Sequence, residues 1–141
     1  MSEAIAFHET RTDKAERLAD RYHALWNEAD PERRRLMIAE LYAEDGTQIL
    51  QPPQEMRAIA ASAGIGMAAT LEARAATSYD EWVGSAGLSF KRRDDVYRLN
   101  DVVKFHWDAF SPDGEVAAVG LVFLVLGADG RIRRDYVFIE G

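Results

Sequence analysis

Residues 21–53, RYHALWNEADPERRRLMIAELYAEDGTQILQPP, decide the fold. They open on an aromatic helix face, restart at a capped second helix and finish in a strand stopped by two prolines. The Asp30 side chain can accept from the first free N–H groups of a helix, and Pro31 suits the first helical position, where its missing N–H costs nothing. A second helix is therefore expected from residue 31. Leu36, Met37, Ile38, Ala39 and Leu41 predict a broad buried face on it, and Asp45-Gly46 is expected to break it into the next strand.

Outward from this stretch, residues 56–83, MRAIAASAGIGMAATLEARAATSYDEWV, read as helix interrupted at Gly64 and Gly66, hence as two short helices. The Gly-Ile-Gly follows no strand and lacks both a third glycine and a downstream Lys-Ser/Thr, so it is a helix hinge and not a phosphate loop. From Gly87 the pattern alternates. Its breaks at Asn100-Asp101, Ser111-Pro112-Asp113-Gly114 and Gly127-Ala128-Asp129-Gly130 carry turn chemistry. Helices first and strands after predict an α+β domain, with the helices on one face of a strongly curved, mainly antiparallel sheet.

The chain has 141 residues, 48% of them hydrophobic, which suits one domain with a sizeable core. A formal charge of −7 repels nucleic acid and anionic membranes. The run Arg33-Arg34-Arg35 sits among Glu28, Asp30, Glu32 and Glu40 and reads as a solvated helix face. With no cysteine, disulfides, thiolate chemistry and Cys-ligated zinc are excluded. His8, His23 and His106 show no ligand spacing, so neither metal nor cofactor is implied. No run approaches 18 apolar residues and the first residues lack a signal-peptide pattern, so the expectation is a soluble cytoplasmic protein without nucleic-acid or membrane partners.

The string RYHALWNEAD, the Asp-Gly break and the short strand ending in proline resemble the start of nuclear-transport-factor-2-like domains. Ketosteroid isomerases and SnoaL-like polyketide cyclases share that start. The resemblance implies a cone-shaped half-barrel over residues 12–141, with residues 1–11 as an N-terminal tail or arm, and a cavity between the helices and the concave sheet face. Residues 117–126, AAVGLVFLVL, are apolar on both faces: Ala118, Gly120, Val122, Leu124 and Leu126 on one, Val119, Leu121, Phe123 and Val125 on the other. Such a strand needs two covers. The helices supply one and a second subunit is the natural other, so a homodimer is expected, as the resemblance also implies.

Ketosteroid isomerases use a first-helix tyrosine, a carboxylate before the first strand's proline and a buried protonated aspartate on the sheet. By resemblance Tyr22 matches the tyrosine. Gln51 stands where the base belongs and Val122 where the aspartate belongs. Gln51 cannot take a proton and Val122 cannot donate one, so the ordinary steroid-isomerase mechanism is not encoded. The cyclase-type acid, which shares the second position, is missing too.

Counting from Ile132 and allowing a bulge sends Asp135, Val137 and Ile139 inward on the last strand. Asp135 becomes the leading candidate acid or base, with a pKa raised by desolvation. Its alternative place is an ion pair with Arg133 or Arg134 at the rim. Arg134-Asp135-Tyr136 also resembles the last strand of limonene-epoxide-hydrolase-type domains, but the earlier Arg and Asp of that machinery have no counterpart in the apolar residues 120–126.

In VVKFHWDAF, Val103, Phe105, Trp107 and Ala109 are expected inside, with Lys104, His106 and Asp108 outside. Tyr22 and Trp26, four apart on helix 1, predict an aromatic cage completed by Phe105 and Trp107, or else an ordinary filled core. Asp135 or Gln51 is expected to accept from the buried indole and phenol groups. Two functions stay open. One is a small-molecule enzyme of SnoaL-like type, a cyclase, isomerase, dehydratase or hydrolase, with Asp135 as acid/base and Tyr22 as donor. Its pocket for a small apolar molecule is lined by Trp26, Gln51, Phe105, Trp107, Gly120, Val122 and Val137. The other is a non-catalytic ligand-binding or dimerisation module.

Overall fold

Ala15, Leu18, Ala19, Tyr22 and Leu25 recur at helical spacing along one stripe of α1 (Ser2–Trp26) and are all buried. That stripe is the helical half of the core. The computed structural model describes residues 2–50 and 71–140.

α2 (Pro31–Leu41) starts at the expected cap, with the Asp30 carboxylate accepting from the Glu32 N–H at 3.1 Å and Pro31 in the first turn. Its buried face differs from the expected one. Leu36 is 64% exposed and Ala39 is exposed, whereas Arg34 is buried with Leu41. The helix packs against α1, the first strand and α3 (Leu71–Ser78), so residues 34, 38 and 41 point inward. Arg34 reaches under α3, donating from Nη1 to the Ala75 carbonyl at 3.1 Å and lying 5.5 Å from the Tyr79 ring centre.

Asp45-Gly46 does not stop α2. The helix ends at Leu41, where the Tyr42 N–H bonds back to the Ile38 carbonyl, and the dipeptide lies within β1 (Tyr42–Leu50). Its role is to let β1 bulge. Between Tyr42 and Thr47 the strand advances five residues while its partner advances two, from Ile132 to Arg134. A Cβ at residue 46 would stand 2.7 Å from the Ile132 carbonyl oxygen, so only glycine fits. After α3 the chain winds through a π-helical stretch, Tyr79–Ser85. The expected interruption at Gly64 and Gly66, and Gln51 itself, lie outside the described residues.

Five further strands follow: β2 (Ser89–Arg92), β3 (Tyr97–Leu99), β4 (Val102–Phe110), β5 (Val116–Leu126) and β6 (Ile132–Glu140). The open sheet runs β1-β6-β5-β4-β2, with β3 also paired to β4. β1 is parallel to β6 and every other pairing among the described residues is antiparallel, which makes a mixed but mainly antiparallel sheet under α1, α2 and α3, an α+β half-barrel. The turns form where expected, with Asn100 at φ 55° and Gly114 and Gly130 at φ 86° and 81°.

On β4 and β5, Val103, Phe105, Ala109, Val122 and Leu124 face the helices and are buried. On β6 the pairing slips by one residue between Val125 and Leu126, so Ile132 and Asp135 both face inward although they are three apart. The opposite sheet face carries half-buried Leu121, Phe123, Val125 and Tyr136, with Phe138 44% and Ile49 45% exposed. No helix among the described residues is long and apolar enough to cross a membrane.

Candidate functional site

The register slip in β6 carries the Asp135 side chain into the apolar core, where the residue is 0% exposed. A carboxylate loses its hydration there and needs donors. Two elements, β1 and α1, supply three of them. Tyr42, the first residue of β1, donates its hydroxyl to Oδ2 at 2.7 Å. Gln48, further along β1, donates from Nε2 to the same oxygen at 3.0 Å and to the Tyr22 hydroxyl at 3.3 Å. Tyr22 of α1 donates to Oδ1 at 3.2 Å. All four side chains are buried.

This geometry sets the protonation of Tyr42. Burial pushes its phenol well above the usual tyrosine range, and the charges of Asp135 and the neighbouring Tyr22 push it further. Tyr42 therefore stays an O–H donor across the physiological range. Trp26 lies beside the cluster, its ring 5.9 Å from that of Tyr22. The Trp26 Nε1–H is buried and has no hydrogen-bond partner among the described residues. The arrangement can hold or move a proton at Asp135, and it offers a free indole donor at the edge.

Tyr22 and Asp135 meet directly, and Trp26 and Phe105 join them through ring contacts, with Tyr22 and Phe105 packed edge to face at 5.6 Å. Trp107 does not complete a four-ring cage. It packs edge to face with Phe90 of β2 at 5.3 Å, against the bare face of Gly120. A Cβ at Gly120 would fall 2.1 Å from the Trp107 ring, so the glycine exists to admit the indole. Val122 is fully buried between Phe105 and Val137 on the neighbouring strands. Asp135 accepts from the neutral donors Tyr22, Tyr42 and Gln48, whereas Arg133 reaches Asp45 and Arg134 donates to the Arg133 carbonyl.

Tyr42 and Gln48 are the two members that the sequence reading missed. Tyr42 was hidden because α2 was expected to run on to Asp45-Gly46. Gln48 carried no readable signal: alternation with Ile49 points the apolar residue inward, whereas in the structure the polar residue faces in and the apolar one faces out.

His106 lies on the outer face, as expected. Its Nδ1 is 2.5 Å from an Asp95 oxygen, its backbone N–H donates to the same carboxylate, and its Nε2 is 3.6 Å from Glu140. Asp108 beside it takes a two-point bond from Arg93 at 2.7 and 3.0 Å. No group of three His, Asp or Glu side chains poised for a metal occurs among the described residues.

No protein-family model matches the chain, and no curated protein matches it by sequence. Solved structures do. A SnoaL-like family protein from Agrobacterium tumefaciens strain C58, proposed to be an isomerase, superposes with a TM-score of 0.73 at 24% identity, over 92% of this chain and 99% of that one. A SnoaL-like protein of unknown function from Burkholderia thailandensis gives 0.64 at 16% identity, over 92% and 97%. A protein of ketosteroid isomerase-like fold from Catenulispora acidiphila, in complex with trimethylamine, gives 0.54 at 15% identity, over 86% and 83%. Sequence likeness at this level carries the fold and not the activity. With helices on one face of an open, mainly antiparallel sheet and a polar cluster at its centre, the chain has the fold of SnoaL-like and ketosteroid isomerase-like structures.

Proposed function

We propose that the chain is a small-molecule protein of SnoaL-like type that works on a small apolar ligand with Asp135 as acid/base. The carrying observation is a carboxylate buried to 0% exposure and held by Tyr22, Tyr42 and Gln48 from two different elements. Burial opposes the charge on Asp135 while the donors favour it, a balance that suits a group exchanging protons with a ligand. Tyr22 and Tyr42 orient the carboxylate, and the Trp26 N–H is the donor left for a ligand oxygen. The reaction class this supports is proton transfer, as in an isomerase, cyclase, dehydratase or hydrolase.

A second reading is favoured by the same bonds: a carboxylate saturated by its own fold acts as a structural pin in a non-catalytic binding module. One experiment separates the two. Small apolar carbonyl and epoxide compounds are screened for turnover, and Asp135→Asn is compared with the parent on each hit. General acid–base work predicts a loss of about 10²–10⁴-fold in turnover with ligand binding retained. Equal activity in parent and variant leaves the binding module.

The outer sheet face supports a homodimer, with Ile49 and Phe138 exposed beside Leu121 and Phe123 in one apolar patch and the Phe123 and Phe138 rings 5.8 Å apart. In this arrangement residues 12–141 form the domain and residues 1–11 an arm. Sedimentation equilibrium of the parent and of Phe138→Lys tests the contact, which requires a dimer for the first and a monomer for the second.

A further inference from the structure

Lys14, Arg17, Leu18 and Arg21 fall at i, i+3, i+4 and i+7 on α1 and share one helix stripe. The three cations face Arg98 of β3 across a half-open cleft of about 240 Å³, floored by Leu18 and Leu126 and closed by Gly130 of the β5–β6 turn. Among the described residues no acidic one lines it. From these observations we propose that the cleft is an anion site that holds a small phosphorylated molecule by its phosphate group.

Charge placement carries the proposal. The chain has a formal charge of −7, and its other arginines are largely spoken for: Arg33 by Glu28, Arg35 by Glu32, Arg92 by Asp20, Arg93 by Asp108, Arg131 by Asp129 and Arg133 by Asp45. Lys14, Arg17, Arg21 and Arg98 have no carboxylate partner among the described residues, although acids outnumber bases. Like charges at i+3 and i+4 repel, so a helix carrying three of them on one stripe is relieved by a bound anion. Asp129, the nearest acid on the β5–β6 turn, is committed to Arg131 through both its side chain and the Arg131 N–H.

The chemistry of the donors selects the ligand. Arginine forks match the oxygens of phosphate with paired N–H bonds, and Arg98 is steadied for this by its Nε–H bond to the Asn100 carbonyl at 2.9 Å. Four cations exceed what one carboxylate neutralises, whereas a phosphomonoester or diphosphate brings about two charges or more. The volume lies below the about 300–1,000 Å³ of a drug-sized site, so the cleft takes a phosphate group and a short carbon skeleton resting on Leu18 and Leu126. This site shares no residue with the Asp135 cluster of Tyr22, Tyr42 and Gln48 and owes nothing to the proposal for that residue.

Isothermal titration calorimetry of the whole chain with pyrophosphate, at constant ionic strength set by sodium chloride, tests the inference. Saturable one-to-one binding is expected, weakened at least tenfold in Arg17→Gln/Arg98→Gln and unchanged in Arg133→Gln, whose arginine is ion-paired elsewhere. Arg17→Gln alone is read beside the double variant, and circular dichroism verifies that each is folded. Absence of saturable binding, or equal loss in Arg133→Gln, overturns the site. Succinate bound as tightly as pyrophosphate overturns the assignment to phosphate.

Discussion

Tyr42 donates its hydroxyl to Asp135 at 2.7 Å across 93 residues of sequence, tying the first residue of β1 to the centre of β6. The bond joins strands that run parallel and so cannot form a local hairpin. It fixes where the edge strand meets the core. Removing the hydroxyl in Tyr42→Phe leaves a buried carboxylate oxygen short of its closest donor. The expected cost is about 1.5–3 kcal/mol, read as a lower urea midpoint with an unchanged slope. A loss below about 0.5 kcal/mol would show that the remaining donors compensate.

Alkaline pH tests the same tyrosine. Its folded pKa is raised above the unfolded value near 10, by burial first and then by Asp135 and Tyr22. Below about pH 10 the group is protonated in both states and its contribution is fully present; above that the unfolded chain releases the proton first. Stability then falls with rising pH by up to about 1.4 kcal/mol per unit for this group. Urea unfolding between pH 9 and 11 is expected to show that slope in the parent and a flatter one in Tyr42→Phe.

Gly120→Ala is expected to be costly because the new methyl meets the Trp107 ring at 2.1 Å. The indole is held by Phe90 on its other side, so overpacking by about 1–3 kcal/mol follows, with a changed tryptophan emission. Unaltered emission and melting would mean that the ring slides away freely.

On α2 the ordinary hydrophobic rule is reversed, and two substitutions expose it. Leu36→Gln is expected to stay within about 0.5 kcal/mol, since the leucine is mostly in solvent. Arg34→Ala removes the bond to Ala75 and the contact with Tyr79, and is expected to cost about 1–3 kcal/mol. Thermal melts of the two variants side by side give the ranking.

Acid titration reports on the outer face. Burial works to raise the Asp95 carboxyl, but hydrogen bonds from the His106 backbone and ring outweigh it and hold it below the usual value of 3.8. A depressed carboxylate contributes stability above its unfolded pKa and loses it as pH falls through the folded one. Asp95→Asn is therefore expected to lower the melting temperature at pH 6 and to converge with the parent below about pH 3.8. Parallel curves down to pH 2 would remove the linkage.

Much of this architecture was legible in the residues themselves. The Asp30-Pro31 cap, the α1 stripe, the turn chemistry at Asn100, Gly114 and Gly130 and the parity of β4 and β5 all rest on local rules, each acting within a few residues. The inward aim of Asp135 was legible too, because a single bulge moves every later side chain of β6 by one step. Two polar-for-apolar exchanges were not: Arg34 buried and Leu36 exposed, and Gln48 buried and Ile49 exposed. In each the buried group finds partners far along the chain, Arg34 at Ala75 and Gln48 and Tyr42 at Asp135. Hydrophobic periodicity weighs each residue by its own transfer cost, and the cost of burying a polar group is cancelled only by bonds that no window of sequence contains. Local chemistry thus determined the elements and their faces, while the pairing of β1 with β6 decided which polar groups the core would hold.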